Sequence, residues 1–193
     1  MNSTTSPAIA GVRTAVRPNL SHVGVYVTDM ERLEAFYCGA LDLVVTDRGI
    51  GNRFKNQLVF MSAEPTHHHQ LALASGRPAG APSTVMQLSF KVQSLDQLRA
   101  VRAKALVQGA KDLFGLNHGN ALSIYFNDPE DNLVEVYLDT PFYVPQPHGD
   151  PLDLDKSDEE IMRETEAACR RNPGFMPLAE WEASMRRRLA ESR

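Results

Sequence analysis

Three residues far apart in the chain, His22, Gln87 and Glu135, are of types that can ligate a metal, and each falls in a segment with strand-like alternation. Glu135 stands out most. It interrupts Leu133-Val134-Glu135-Val136-Tyr137, a run that must be buried on at least one face. An unpaired buried carboxylate is costly, so something has to neutralise it. A divalent cation shared with His22 would do so. Imidazole, amide oxygen and carboxylate are all acceptable donors to Fe(II), Mn(II) or Zn(II), and three protein ligands leave positions open for substrate and for oxygen or water. Taken singly, His22 reads as an ordinary half-buried histidine; the combination is what points to metal chemistry.

The elements that must position these residues come from an internal repeat. Leu20-Ser21-His22-Val23-Gly24-Val25-Tyr26-Val27 is answered by Met86-Gln87-Leu88-Ser89-Phe90-Lys91-Val92, which puts His22 on Gln87. Leu58-Val59-Phe60 and His69-Gln70-Leu71-Ala72-Leu73 are answered by Ile124-Tyr125-Phe126 and Leu133-Val134-Glu135-Val136-Tyr137. This alignment sets Leu71, which cannot bind metal, against Glu135. Two βαβββ units follow, in an α+β fold whose mixed sheet curves into a cup. Val23, Val25 and Val27 share one strand face while His22, Gly24 and Tyr26 share the other, and the same split recurs at Leu122, Ile124 and Phe126 against Ser123, Tyr125 and Asn127. Helices packed on the apolar face leave the polar face free for a ligand. Asp29 and Ser94 are placed to cap the two helices, and Gly39 and Gly109 to stop them. Arg48 to Asn52, Gly76 to Pro82 and Asn127 to Asn132 read as loops.

The 193 residues suit one core with an appended segment, and a net charge of −4 gives no footprint for nucleic acid. Cys38 and Cys169 fall in separate helical stretches and suggest neither a disulfide framework nor metal spacing, which fits a reducing compartment. No secretory pattern opens the chain and no segment approaches the roughly 18 apolar residues of a membrane span, so a soluble cytoplasmic protein is expected. The expected division is a flexible N-terminal arm over residues 1–17, the paired βαβββ unit over 18–140, and a Pro-rich connector with C-terminal helices over 141–193. Ser157-Asp158-Glu159-Glu160 reads as a capping box opening a helix to about Arg171. A last amphipathic helix with Leu178, Trp181, Met185 and Leu189 on one side is expected to pack on the barrel or on a second subunit. His67, His68 and His148 read as solvent-exposed turn residues.

The block Asn117-His118-Gly119, Tyr125-Phe126, Asp128-Pro129 and Glu135, in that order and spacing, resembles the vicinal oxygen chelate superfamily of glyoxalases, bleomycin resistance proteins and extradiol dioxygenases. Within it the chain is most similar to one-domain relatives of the type I extradiol ring-cleaving dioxygenases, over about Pro18 to Thr140. The resemblance implies metal ligands at His22, Gln87 and Glu135, a hydrogen bond from Tyr125 to a substrate hydroxyl, a substrate contact at His118, and a proton-transfer role for His69. The implied cofactor is a divalent metal, Fe(II) before Mn(II) or Zn(II). The implied substrate is a small catechol-like aromatic or another compound with vicinal oxygens, cleaved with O2 by a homodimer or larger homo-oligomer. Gln87 departs from the pattern, because the ring-cleaving enzymes place a second histidine there. Glyoxalase-type relatives do use glutamine, so a glyoxalase-like lyase or isomerase is an alternative, as is a non-catalytic binding protein of the same fold.

Overall fold

The computed structural model describes residues 16–191, so most of the expected N-terminal arm lies outside the described residues. The first module runs β1 (Val23–Val27), α1 (Met30–Leu41), β2 (Val44–Ile50), β3 (Gln57–Ser62) and β4 (Leu71–Ser75). The second runs β5 (Leu88–Lys91), α2 (Leu95–Val107), β6 (Lys111–Asn117), β7 (Ala121–Asn127) and β8 (Leu133–Asp139). Each is the βαβββ unit that the repeat implies. The first sheet has the order β1-β4-β3-β2, and β1 runs parallel to β4. In the second sheet the same logic gives β6-β7-β8-β5 with β5 parallel to β8, and a short fifth strand lies beside β6.

Alternation along the strands sorts the side chains as expected. Val25, Val27, Met61, Leu71 and Leu73 from the first sheet, and Leu88, Leu122, Ile124, Phe126, Val134 and Val136 from the second, join Leu33, Phe36, Tyr37 and Leu98 of the helices in one core. Fully burying a side chain of this size contributes about 1.5–3 kcal/mol, so this shared core is the main reason the modules hold together. Polar contacts reinforce it. Glu130, in the turn between β7 and β8, reaches across to cap α1, its Oε1 accepting from the backbone N–H groups of Thr28 at 2.8 Å and Asp29 at 2.6 Å. Tyr37 of α1 donates to Asp128 Oδ2 at 2.7 Å.

The caps of the two helices are as predicted at their starts, with Asp29 accepting from Arg32 N–H and Ser94 from Gln97 N–H. Their ends differ from each other. Gly109 follows the α2 cap at φ +87°, a conformation that suits glycine. Gly39, by contrast, lies inside α1, which continues to Leu41. A Cβ there would stand 2.4 Å from the Gln108 side chain, so this glycine serves a close approach between the modules rather than a stop. The expected loop at Arg48 to Asn52 is also shorter, because β2 extends through Ile50.

Pairing registers refine the repeat. Gly24 lies opposite Ala72 as Ser89 lies opposite Glu135, so the counterpart of Glu135 is Ala72 and not Leu71. A slip of one residue exchanges the two faces of a strand, and Leu71 is a fully buried core residue. Alanine cannot ligate a metal either.

Beyond Thr140 come β9 (Phe142–Tyr143), β10 (Asp150–Pro151), α3 (Asp158–Arg170), β11 (Met176–Pro177) and α4 (Leu178–Glu191). β10 is the strand that extends the second sheet beyond β6. The predicted capping box is present at Ser157 and Glu160. α4 does not pack on the barrel: it lies against the β9–β11 pair, with Trp181 stacked on Tyr143 at 5.4 Å between ring centroids. Among the described residues no helix is long and apolar enough to cross a membrane.

Candidate functional site

Strand register explains why a cluster forms on the polar face of the second sheet. Glu135 on β8 lies between Ser89 on β5 and Tyr125 on β7, all pointing the same way by parity. Its Oε2 accepts from Ser89 Oγ at 2.7 Å and from Gln87 Nε2 at 2.8 Å. Its Oε1 accepts from Tyr125 OH at 2.5 Å and from Ser123 Oγ at 2.9 Å. The carboxylate is buried, 8% exposed, yet four donors surround it. The expectation that Glu135 needs a cation for compensation is therefore corrected: the sheet itself supplies the partners.

Tyr125 links this carboxylate to His118, whose Nε2 lies 2.8 Å from the phenolic oxygen. Burial, and then the hydrogen bond to Glu135, push the phenol well above its ordinary pKa, so it stays protonated and a donor at neutral pH. His118 Nδ1 lies 2.7 Å from the carbonyl oxygen of His148. A carbonyl only accepts, so Nδ1 carries a proton, and a neutral His118 presents a lone pair at Nε2. The single Tyr125 proton thus lies between two acceptors, Glu135 and His118. Phe114 of β6 stacks on Tyr125 with ring centroids 5.1 Å apart and its outer face half exposed, making a flat aromatic wall beside the cluster.

The first module contributes imidazoles. His22 immediately precedes β1 and is exposed, with Ser21 Oγ 3.0 Å from its Nδ1. His69 packs against it, ring centroids 4.2 Å apart, and also against Phe60. His69 was expected on the cup face of a strand, but β4 begins only at Leu71, and His69 occupies the approach to it. Its Nδ1 is 2.9 Å from His68 Nδ1, and His68 Nε2 is 2.7 Å from Asp47 Oδ2. Burial, followed by the charges of His22 and His68, lowers the His69 pKa, which favours the neutral, proton-accepting ring. His68 is exposed as expected but engaged on both ring nitrogens. His148, expected to be exposed, is largely buried: its side chain is 19% exposed.

The site thus consists of two groups, Gln87–Glu135–Tyr125–His118 and His22–His69. One member of each, His22 and Gln87, lines a cavity of about 600 Å³, together with Gln70 from the first module and Ser89 and Lys91 from the second; Glu135, Tyr125, His118 and His69 are not part of its wall. Among the described residues no three His, Cys, Asp or Glu side chains are arranged to hold a metal, so a centre built on His22 and Glu135 needs the Gln87 amide as its third donor. The donor types fit a divalent ion. Because a carboxylate only accepts, Gln87 must turn its NH2 toward Glu135, which leaves its amide oxygen available, and Ser21 leaves the Nε2 of His22 available.

A family model described as the glyoxalase/bleomycin resistance protein/dioxygenase superfamily matches residues 19–136, more than half of the chain. The chain belongs to this superfamily. Two curated relatives are biphenyl-2,3-diol 1,2-dioxygenases of Rhodococcus globerulus. Dioxygenase 2 is 27% identical over 63% of this chain and 63% of its own length. Dioxygenase 3 is 25% identical over 87% of this chain and 83% of its own length. The chain therefore spans under two thirds of the first relative. Among solved structures, the glyoxylase/bleomycin resistance protein/dioxygenase domain from Frankia sp. EAN1pec is 20% identical with a TM-score of 0.51, covering 65% of this chain and all of that one. The fosfomycin resistance protein FosX from Listeria monocytogenes, solved with Mn(II) and a dihydroxypropylphosphonic acid, is 16% identical with a TM-score of 0.51, covering 65% and 93%. These likenesses show the shared fold.

Within this superfamily frame, sequence reasoning missed Ser89 and Ser123, the two hydroxyls on Glu135. The signal was present: Ser89 has the strand parity of Gln87, and Ser123 that of Tyr125. It also missed the His148 carbonyl, which no pattern in the sequence announces.

Proposed function

We propose that this protein is a metal-dependent extradiol-type dioxygenase, with residues 18–140 as its catalytic unit, opening a catechol-like ring with O2. Both oxygen atoms enter the product, so no external reductant is needed. His22, Gln87 and Glu135 would hold the ion, Fe(II) for preference, which supplies a meeting point for vicinal substrate oxygens and O2. Neutral His69 takes a proton from one diol hydroxyl and later returns it. Tyr125, kept protonated, would turn its single proton from Glu135 to a substrate oxygen, with His118 as a second contact to the substrate. The observation that carries this reading is the hydrogen-bonded Glu135–Tyr125–His118 chain, which Gln87 joins to a cavity that His22 also lines. The two dioxygenase relatives support it.

One observation favours a non-catalytic binding protein instead: Glu135 is fully satisfied by protein donors. Metal content of protein purified anaerobically, followed by oxygen uptake on a catechol panel, separates the readings. Bound iron with uptake is expected; metal-free protein that still binds catechols would sink the enzyme reading. His69→Ala is expected to retain metal while losing about 100-fold to 10,000-fold in turnover. Unchanged turnover would remove His69 from the mechanism.

A further inference from the structure

The turn carrying His118 is held by residues that lie beyond the segment the superfamily match covers. Gln146 is the centre of this arrangement. Its Nε2 donates to the His118 carbonyl at 2.8 Å and to Asn120 Oδ1 at 3.0 Å, while its Oε1 accepts from His148 N–H at 3.1 Å. One side chain therefore ties the backbone of His118 to the backbone of His148, whose carbonyl receives the His118 Nδ1 proton at 2.7 Å.

The rest of the turn is gripped from the same side. Thr140 donates to the Gly119 carbonyl at 2.5 Å, and its N–H donates to the Asn120 carbonyl at 3.0 Å. Gly119 has φ +75°, and a Cβ there would stand 2.5 Å from Val144 Cγ2 and 3.1 Å from Cys169 Sγ, both in fully buried residues. Asn117 accepts from Gly119 N–H at 2.8 Å and donates to Thr165 Oγ1 on α3 at 2.7 Å. Every residue from 117 to 120 is thus held directly or through a neighbour by residues 140–169.

We propose that the C-terminal extension is a positioning element for the candidate active site, with Gln146 as the strap that fixes His118. A turn needs no ring nitrogen tied to a carbonyl in order to fold. What that bond determines is the imidazole's tautomer and aim: proton on Nδ1, with Nε2 toward Tyr125. Gln146 acts through His118 and touches no reacting atom. Its kinetic consequence rests on the function proposed above, whereas its effect on the ring does not.

The test uses the full chain with no added metal, labelled with 15N-histidine, the His118 signals being assigned by their loss in His118→Asn. One Nδ1–H tautomer is expected in the parent protein, and a tautomer mixture in both Gln146→Ala and Gln146→Glu. Gln146 is exposed, so both variants are expected to fold. Glutamate keeps the acceptor for His148 but loses the donor to His118 and Asn120. Arg186→Ala, which removes an exposed ion pair within α4, is expected to leave the His118 signals unchanged. A single Nδ1–H tautomer persisting in both Gln146 variants would overturn the proposal.

With catechol as substrate, Gln146→Ala is expected to lower kcat about 10- to 100-fold with little change in KM, and to cause no further loss in a His118→Ala background. Further loss in that background would mean that Gln146 acts through the fold at large, which also overturns the proposal. A tautomer change in a protein without dioxygenase activity would refute the function above and leave the strap established.

Discussion

The two modules share a topology position by position, and their polar faces carry opposite chemistry. Where the second sheet has Ser89, Ser123, Tyr125 and Glu135, the registers put Gly24, Leu58, Phe60 and Ala72 in the first. Phe60 and Tyr125 differ by one hydroxyl. The first module has lost, or never had, both the carboxylate and every donor that would make a carboxylate tolerable there. Polar networks of this kind come as complete sets, because a partly satisfied set in a low dielectric costs more than an apolar surface. The first module instead contributes imidazoles from the segments just before its strands, His22 and His69, which need no such set. Pseudo-symmetry supplies the scaffold here; the acid and the bases come from different halves.

The contrast is most directly broken at its centre. Glu135→Ala, which copies Ala72 into the second sheet, strands up to four donors at once and is expected to cost about 3 kcal/mol or more, read by urea unfolding, together with loss of metal binding by calorimetry. A variant of undiminished stability would mean that the donors find water, and that the second sheet is no more committed than the first. Tyr125→Phe copies Phe60. Loss of a hydrogen bond to a charged group is expected to cost about 1.5–3 kcal/mol, whereas Phe60→Tyr in the first module should bring no comparable gain. Equal and opposite effects would show the two faces to be interchangeable.

Gln87→His makes position 87 the same residue as its counterpart, His22. Imidazole is the stronger donor to Fe(II), so tighter Fe(II) binding is expected in an anaerobic titration. Unchanged affinity in a folded variant would show that position 87 does not reach the ion. The smallest effect concerns pH. His69 has a lowered pKa in the fold, so below about pH 6.5 the unfolded chain takes up a proton that the folded one refuses, and stability falls with pH through that window. Above it the two states bind protons equally. His69→Gln is expected to flatten the slope of Tm between pH 6.5 and 5 by a modest amount, since the ring is only partly buried. An unchanged slope would assign the pH dependence to other groups.

Much of this was legible in the residues. Alternation at Leu122, Ile124 and Phe126 gave the buried face of β7, and Asp29, Ser94 and Ser157 marked three helix starts, because capping and parity are local. Other features depended on distant partners. Gly39 could not be recognised as a packing glycine without Gln108 beside it. Leu71 was aligned one residue away from Ala72, since an apolar run does not reveal its own register. Glu135 stood out as a buried acid, but its donors lie on or beside the two flanking strands β5 and β7, and only their pairing shows that the charge is already met. His148 contributes through its backbone, to which side-chain identity is a poor guide.

The Glu130 cap on α1 has a consequence for the order in which the protein is made. By the time about 90 residues have left the ribosome, every strand of the first sheet exists, but the carboxylate that caps its helix and the Asp128 that receives Tyr37 have yet to be added. The first module therefore emerges with its helix capped only by its own Asp29 and its core open toward a partner still being synthesised. Its completion waits for the turn between β7 and β8, which makes the chain a single cooperative folding unit despite its two-part design. A nascent chain arrested before residue 128 is expected to be protease-sensitive throughout, and one extended past β8 to become resistant in a single step.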